Sequence, residues 1–373
     1  MTDGNSVEQL SVVMTTETAT DVTETTAANV KTSSPSSRAI EVSFQCAVVV
    51  IGVVGTAANA LILYAMVASK QHKKHALIFH QNTLDFFTCL VLVITYVLKL
   101  CNIHLTGSVG YWLCMLILSE NLLWCVGIAS KINLVCLTIE RYLKVVYPVW
   151  SKNKLRNWML YSAMAFAWIG GFVHQNTLAF STSDVVDGLC YAYVFWKSRQ
   201  SQMACGVLTF LLLYANIVIL LIFCYGRILI SIRRQAKAMA SYNAAVLSTT
   251  QVQSHRIQTN VVKTMILVSA SYAICDMPIF VYYLLMSIRA NLTLLYGGYY
   301  ASLFIFFFYI CANPFIYAVK FDPVKQILLR MIPCKKTPVQ LVGSVELASS
   351  HLTAARSAQE RNTNRTDVDM NNT

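Results

Sequence analysis

The sequence predicts an all-α membrane protein: a bundle of seven transmembrane helices with a short amphipathic helix after the last span. Three observations lead there. The chain of 373 residues is 56% hydrophobic and only 12% charged, where a soluble domain carries about 25% charged residues. Its apolar residues gather in runs of the length that crosses a hydrocarbon core, about 20 residues. Inside lipid the backbone has to satisfy its own hydrogen bonds, so runs of that length form helices.

Residues 1–43 are polar, rich in Thr and Ser and poor in aromatics. That is the composition of a disordered tail. It holds no apolar region suited to a cleaved signal peptide, so the first span is expected to act as an uncleaved anchor. The seven-transmembrane domain is expected over 44–335, with spans at roughly 44–68, 77–101, 111–143, 157–180, 203–232, 258–287 and 295–319. The stretch from Asp322 to Met331 has apolar residues at helical spacing beside Lys325 and Arg330, the pattern of a helix lying in a membrane interface. Cys334 follows it and is either a palmitoylation site or a plain free thiol. Residues 336–373 are polar again and are expected to be a disordered cytoplasmic tail.

Charge sets the orientation. With the N-terminus outside, 22 of the 29 Lys and Arg fall in cytosolic loops, at cytosolic helix ends or in the C-terminal tail. Positive residues stay inside, so the N-terminus is expected outside and the C-terminus in the cytoplasm, as for a multi-pass protein of the plasma membrane. The net charge of +12 caps helix ends rather than forming one patch, which argues against nucleic acid as a partner. Asn291-Leu292-Thr293 is an N-glycosylation sequon on the last outer loop. Cys114 and Cys190 fall on the oxidising side, where a disulfide can form. No metal-ligand cluster, phosphate loop or nucleophile constellation is present, so no catalysis and no metal are expected.

The motifs come at the span ends. Glu140-Arg141-Tyr142 closes the third span and Asn313-Pro314-Phe315-Ile316-Tyr317 closes the last. Asn59, Asp85, Trp168 and Tyr225 punctuate spans one, two, four and five, and Cys275-Asp276-Met277-Pro278 lies in span six. In these residues, over roughly 44–334, the chain resembles the rhodopsin-like (class A) G protein-coupled receptors. The resemblance implies a receptor that passes an extracellular signal to a heterotrimeric G protein by conformational change, with an unknown extracellular ligand. It also implies a Cys114–Cys190 disulfide, and a coupling and activation switch made of Glu140, Arg141, Tyr142, Tyr225, Asn313, Pro314 and Tyr317. A polar cluster of Asn59, Asp85, Ser130 and Asn313 would hold sodium and water in such a receptor. Glu120, Trp124, Tyr282 and Tyr283 are candidates for the ligand pocket, since pockets combine aromatic walls with a few polar anchors; the Tyr residues also suit an interfacial aromatic belt.

Four residues depart from the family pattern. Asp276 replaces the usual Trp of span six, Lys131 lies in mid-span three, and Ile217 stands where span five usually has Pro. Cys114 precedes Arg141 by 27 residues, two more than is usual. Charges in the membrane are costly unless paired. Either Lys131 and Asp276 face each other and, with the kink at Pro278, form an electrostatic switch, or each finds separate partners. Phe306-Phe307-Phe308 occupies the place of the retinal-binding Lys of opsins, which weighs against a light sensor. The alternative function is a receptor-like membrane protein that binds a ligand or partner without G protein coupling. The altered span-six motif favours it, and the intact Arg141 and Asn313-Pro314 motifs oppose it.

Overall fold

The computed structural model describes residues 35–73, 75–241, 249–288, 296–320 and 322–331. The chain divides into two units, Met1–Ile327 and Leu328–Thr373, and of the second only the end of one helix is described. Asn291, Cys334, residues 1–34 and the whole predicted C-terminal tail lie outside the described residues.

The described chain is almost wholly helical. In order come α1 (Pro35–Ala68), α2 (Ala76–Leu100), α3 (Gly107–Leu113), a π-helical turn (Cys114–Leu118), α4 (Asn121–Val146), α5 (Pro148–Lys154) and α6 (Asn157–Thr182). A hairpin of β1 (Asp184–Val186) and β2 (Leu189–Tyr191) follows. Then come α7 (Arg199–Phe210), a second π-helical turn (Leu211–Ala215), α8 (Asn216–Ser241), α9 (Thr249–Cys275), α10 (Met277–Ile288), α11 (Tyr296–Lys320) and α12 (Asp322–Met331).

Among the described residues, six stretches are long and apolar enough to cross a membrane: Arg38–Ala68, Ala76–Leu100, Gly107–Val146, Arg199–Ala238, Thr259–Ile288 and Gly297–Lys320. The predicted fourth span falls on the 26-residue helix α6, which does not reach that level of apolarity, because Asn157, Ser162, His174, Gln175, Asn176 and Thr177 dilute its apolar residues. α1 is described from Pro35, within the stretch 1–43 expected as a tail. Outward-facing Val50, Ile169, Ile219, Ile222 and Ile274 are each more than 60% exposed. A surface so apolar calls for lipid rather than water around it.

α4 is the axis of the bundle: it packs on α2, α6, α8 and α9, while α1 packs on α2 and α11. The α4–α6 contact depends on Gly171, where an added Cβ would collide with the Cys125 carbonyl. Small residues allow such close backbone approach between helices in membranes. Asn121 Nδ2 then donates to Asn176 Oδ1 at 2.8 Å across the same contact.

The two-residue excess before Arg141 has a structural outlet. The third apolar stretch is not one regular helix. A wide π turn at Cys114–Leu118 is followed by a break at Ser119–Glu120, where Glu120 takes φ 60°. Together they absorb the extra residues before α4 begins. The second π turn, Leu211–Ala215, lies just ahead of Ile217, so the helix that lacks the customary Pro is still locally unwound. The sixth span, expected as one kinked helix over roughly 258–287, belongs to a helical stretch Thr249–Ile288 that is broken at Asp276. Pro278 cannot donate a backbone hydrogen bond there.

Candidate functional site

At one end of α4, Arg141 is 8% exposed. Its Nη2 lies 3.4 Å from Glu140 Oε2 and donates to His75 Nδ1 at 3.2 Å. Glu140 Oε1 is held by Lys144 at 2.5 Å, one helical turn on. Glu140 and Arg141, both named for the switch, are in contact, and Lys144 and His75 join them. Neither was visible as a partner in the sequence, His75 because it comes from the loop before α2. Tyr225 of α8 is buried and meets both neighbours: its hydroxyl lies 3.2 Å from Thr138 of α4 and accepts from Ser269 of α9 at 3.1 Å. Tyr142 stacks at an angle on Phe223 and Tyr147. Tyr317 of α11 is 1% exposed, and its hydroxyl has no partner among the described residues.

Halfway along α2 and α4 a polar network runs through the apolar interior. Asp85 Oδ1 accepts from Ser130 at 3.0 Å and from Gln81 at 3.2 Å, and Oδ2 accepts from Asn313 at 3.1 Å. Gln81 also donates to Ser130 in a close contact and accepts from Asn133 at 2.8 Å. Trp168 Nε1 donates to His80 Nε2 at 3.0 Å. That bond leaves Nε2 as the bare nitrogen, so His80 Nδ1 carries the proton and donates to Asn133 Oδ1 at 2.9 Å. Every donor in the series Trp168, His80, Asn133, Gln81, Ser130 therefore points toward Asp85, the arrangement that suits a carboxylate. The sequence placed Asp85, Ser130 and Asn313 together; His80, Gln81 and Asn133 were missed, although polar residues inside apolar spans are themselves a signal. Asn59 stands apart from the carboxylate and donates to Gly55 O at 3.0 Å and Cys89 Sγ at 3.7 Å.

Lys131 and Asp276 do face each other. The ammonium lies 3.0 Å from Asp276 Oδ2, with side chains 7% and 0% exposed. Three rings surround the ammonium, with centroids at 4.5 Å (Phe306), 5.6 Å (Phe280) and 5.9 Å (Tyr272). The pair thus ties α4 to the break between α9 and α10, and the cation rests on aromatic faces of α9, α10 and α11.

At the opposite end the Cys114–Cys190 disulfide is formed. It fastens the π turn to β2, whose partner β1 aligns Val185 with Cys190. Asp187 and Gly188 turn the hairpin with φ 51° and 75°, the positive values that two-residue hairpin loops require. Beside it lies a cavity of about 410 Å³, walled in part by Phe44, Tyr96, Lys99, Glu120, Tyr191 and Tyr299. Glu120 is not a free anchor there: it accepts from Lys99 at 2.5 Å and from Tyr96 at 2.9 Å. The other three predicted pocket residues do not line this cavity. Trp124 stacks on Phe306 at 5.0 Å, Tyr282 packs on Tyr299 at 5.3 Å, and Tyr283 O accepts from Ser287 at 2.8 Å.

The residues around Asp85 do not fit a sodium ion. A hard cation needs about six oxygen ligands. Here both Asp85 oxygens already accept protein donors, and the Ser130 hydroxyl donates to the carboxylate. The adjoining cavity holds about 10 Å³ and has Lys131 in its wall. That volume suits a single water. The amide oxygens of Asn59 and Asn313 are buried without a donor among the described residues.

Residues 58–317 match the family of seven-transmembrane receptors of the rhodopsin type. Over 168 residues the chain is 24% identical to the neuromedin-K receptor of Oryctolagus cuniculus, a stretch that covers 44% of this chain and 34% of that receptor. The chain thus spans about a third of the length of the relative it matches. Squid rhodopsin has a similar fold, with a TM-score of 0.64 at 18% identity over 81% of this chain and 89% of that one. With Arg141, Asp85 and Asn313 placed as described and the family's motif-bearing stretch matched from Asn59 to Tyr317, the chain belongs to the rhodopsin family of seven-transmembrane receptors.

Proposed function

We propose that the protein is a plasma-membrane receptor that passes an extracellular signal to a heterotrimeric G protein. The observation that carries this reading is the state of Arg141: buried, held by Glu140 and His75, with Tyr225 tying α4, α8 and α9 together beside it. A buried, restrained charge at a helix end is poised for release, because its exposure on a partner recovers solvation and new ion pairs. Ligand binding shifts the equilibrium toward the open form only through its difference in affinity for the two states.

In this reading the disulfide end faces outside and the Arg141 end faces the cytoplasm. α6 is the remaining membrane span, held by its contact with α4 rather than by apolarity. α12 lies along the inner leaflet, Cys334 is acylated, and Asn291 carries a glycan. The 410 Å³ cavity has the volume of a small-molecule site and takes a ligand with apolar surface and a charged group that competes for Glu120 or Lys99. Lys131, Asp276 and Pro278 form the hinge at which α10 moves on α9, and Asn313, Pro314 and Tyr317 the corresponding hinge in α11.

Basal activation of each Gα family in cells tests the reading. Wild type is expected to give signal above mock-transfected cells, and Arg141→Ala to abolish it at unchanged surface expression. A ligand-stimulated or basal signal that survives Arg141→Ala would sink this assignment.

A further inference from the structure

The family's sodium-binding residues are mostly present, yet their geometry is closed to the ion. We infer that Lys131 is a built-in cation that takes the place of sodium beside Asp85, and that this receptor is insensitive to sodium.

The cavity next to Asp85 is the starting point. It holds about 10 Å³, and Lys131 shares its wall with Asp85, Ser130, Asn313, Tyr272 and Tyr309. The Lys131 ammonium opposes entry of a second cation into this water-sized, low-dielectric cavity, an effect that its pairing with Asp276 reduces but does not remove. The oxygens that would bind sodium are also committed. Ser130 presents its hydroxyl proton to Asp85 Oδ1, Gln81 donates to the same oxygen, and Asn313 donates to Oδ2. The donors upstream, from Trp168 through His80 and Asn133, keep this polarity fixed. A cation at Asp85 would have to turn Ser130 out of this run, a cost that sodium meets only where no resident ammonium already occupies the wall.

Lys131 also has what a resident cation needs in order to stay. Asp276 fixes it at 3.0 Å, and three aromatic faces surround it. Two departures from the family pattern, Lys131 and Asp276, thereby share one explanation. The lysine supplies the charge that an ion supplies elsewhere, and the aspartate positions the lysine. Because the cation is covalently part of α4, its occupancy does not vary with salt.

Thermal unfolding of the purified full-length chain in detergent tests this without ligand or G protein, so the result is independent of the coupling reading. Unfolding is followed with a thiol-reactive dye, which reports exposure of the buried free cysteines Cys89, Cys125, Cys224 and Cys311. Wild type is expected to unfold at the same midpoint in sodium chloride and in isosmotic choline chloride. The double variant Lys131→Met/Asp276→Asn removes the tethered charge without leaving an unpaired acid. It is expected to gain a sodium-dependent rise of about 2–4 °C, which Asp85→Asn then removes. If the double variant does not fold, Lys131→Gln, whose amide still donates to Asp276, replaces it with the same expectation. A sodium-specific rise in wild type overturns the inference, as does a folded variant lacking Lys131 whose midpoint ignores sodium.

Discussion

A lysine ammonium moved from water into hydrocarbon loses several kcal/mol of hydration, and an aspartate does the same. Lys131 and Asp276 recover much of that through a 3.0 Å contact and the rings of Phe306, Phe280 and Tyr272. Removing one partner leaves the other buried alone. Lys131→Ala and Asp276→Ala are each expected to destabilise the receptor by about 3–5 kcal/mol, read as lower unfolding midpoints and reduced surface expression. Lys131→Met/Asp276→Met removes both charges and is expected to recover most of the loss. Double-mutant analysis of the unfolding midpoints checks this, and additive losses would count against the pair. The sequence posed the pairing as an open alternative. Proximity across two helices was the missing information, since spacing along one chain does not set the rotation of α4 against α9.

Among the helices, the close approach of α6 to α4 is the feature most open to attack. Gly171 leaves no room for a side chain against the Cys125 backbone. Gly171→Leu is expected to cost about 1–3 kcal/mol through forced separation of the two helices. It should also weaken the Asn121–Asn176 hydrogen bond that spans them. The unfolding midpoint reads the first effect; retention of the wild-type midpoint would show that the helices part freely. The α6 stretch also explains a limit of hydropathy. Its polar residues are visible as a weak apolar signal, while its neighbours in the bundle are not. The π turns at Cys114–Leu118 and Leu211–Ala215 were likewise hidden: the sequence showed a two-residue excess and a missing Pro, but not how the backbone would accommodate either.

For the molecule as a whole, the apolar outer surface calls for a bilayer, and the proposed orientation in it rests on the asymmetric basic residues. An N-terminal epitope tag is expected to be accessible to antibody on intact cells and a C-terminal tag only after permeabilisation. Asn291→Gln is expected to remove a glycosidase-sensitive mobility shift. The reverse tag pattern would invalidate the inside and outside assignments made above. The disulfide is expected to matter at this level as well. Cys114→Ser releases β2 from the π turn and is expected to lower stability by about 2–4 kcal/mol, seen as intracellular retention of the variant.

What the sequence determined by itself is what depends on local composition and order along the chain. The apolar runs exceed the length of a bilayer crossing, the basic residues collect on one side, and Glu140-Arg141-Tyr142 and Asn313-Pro314-x-x-Tyr317 sit at the ends of their helices because hydrocarbon tolerates few alternatives. Tertiary structure decided which polar groups meet. It joined Lys131 to Asp276, ran His80, Asn133 and Gln81 into Asp85, tied Glu120 to Lys99 and turned Trp124 onto Phe306. The physical reason is that a buried polar atom must find a partner within about 3 Å, and that distance is set by the rotation and tilt of packed helices, which no single helix encodes.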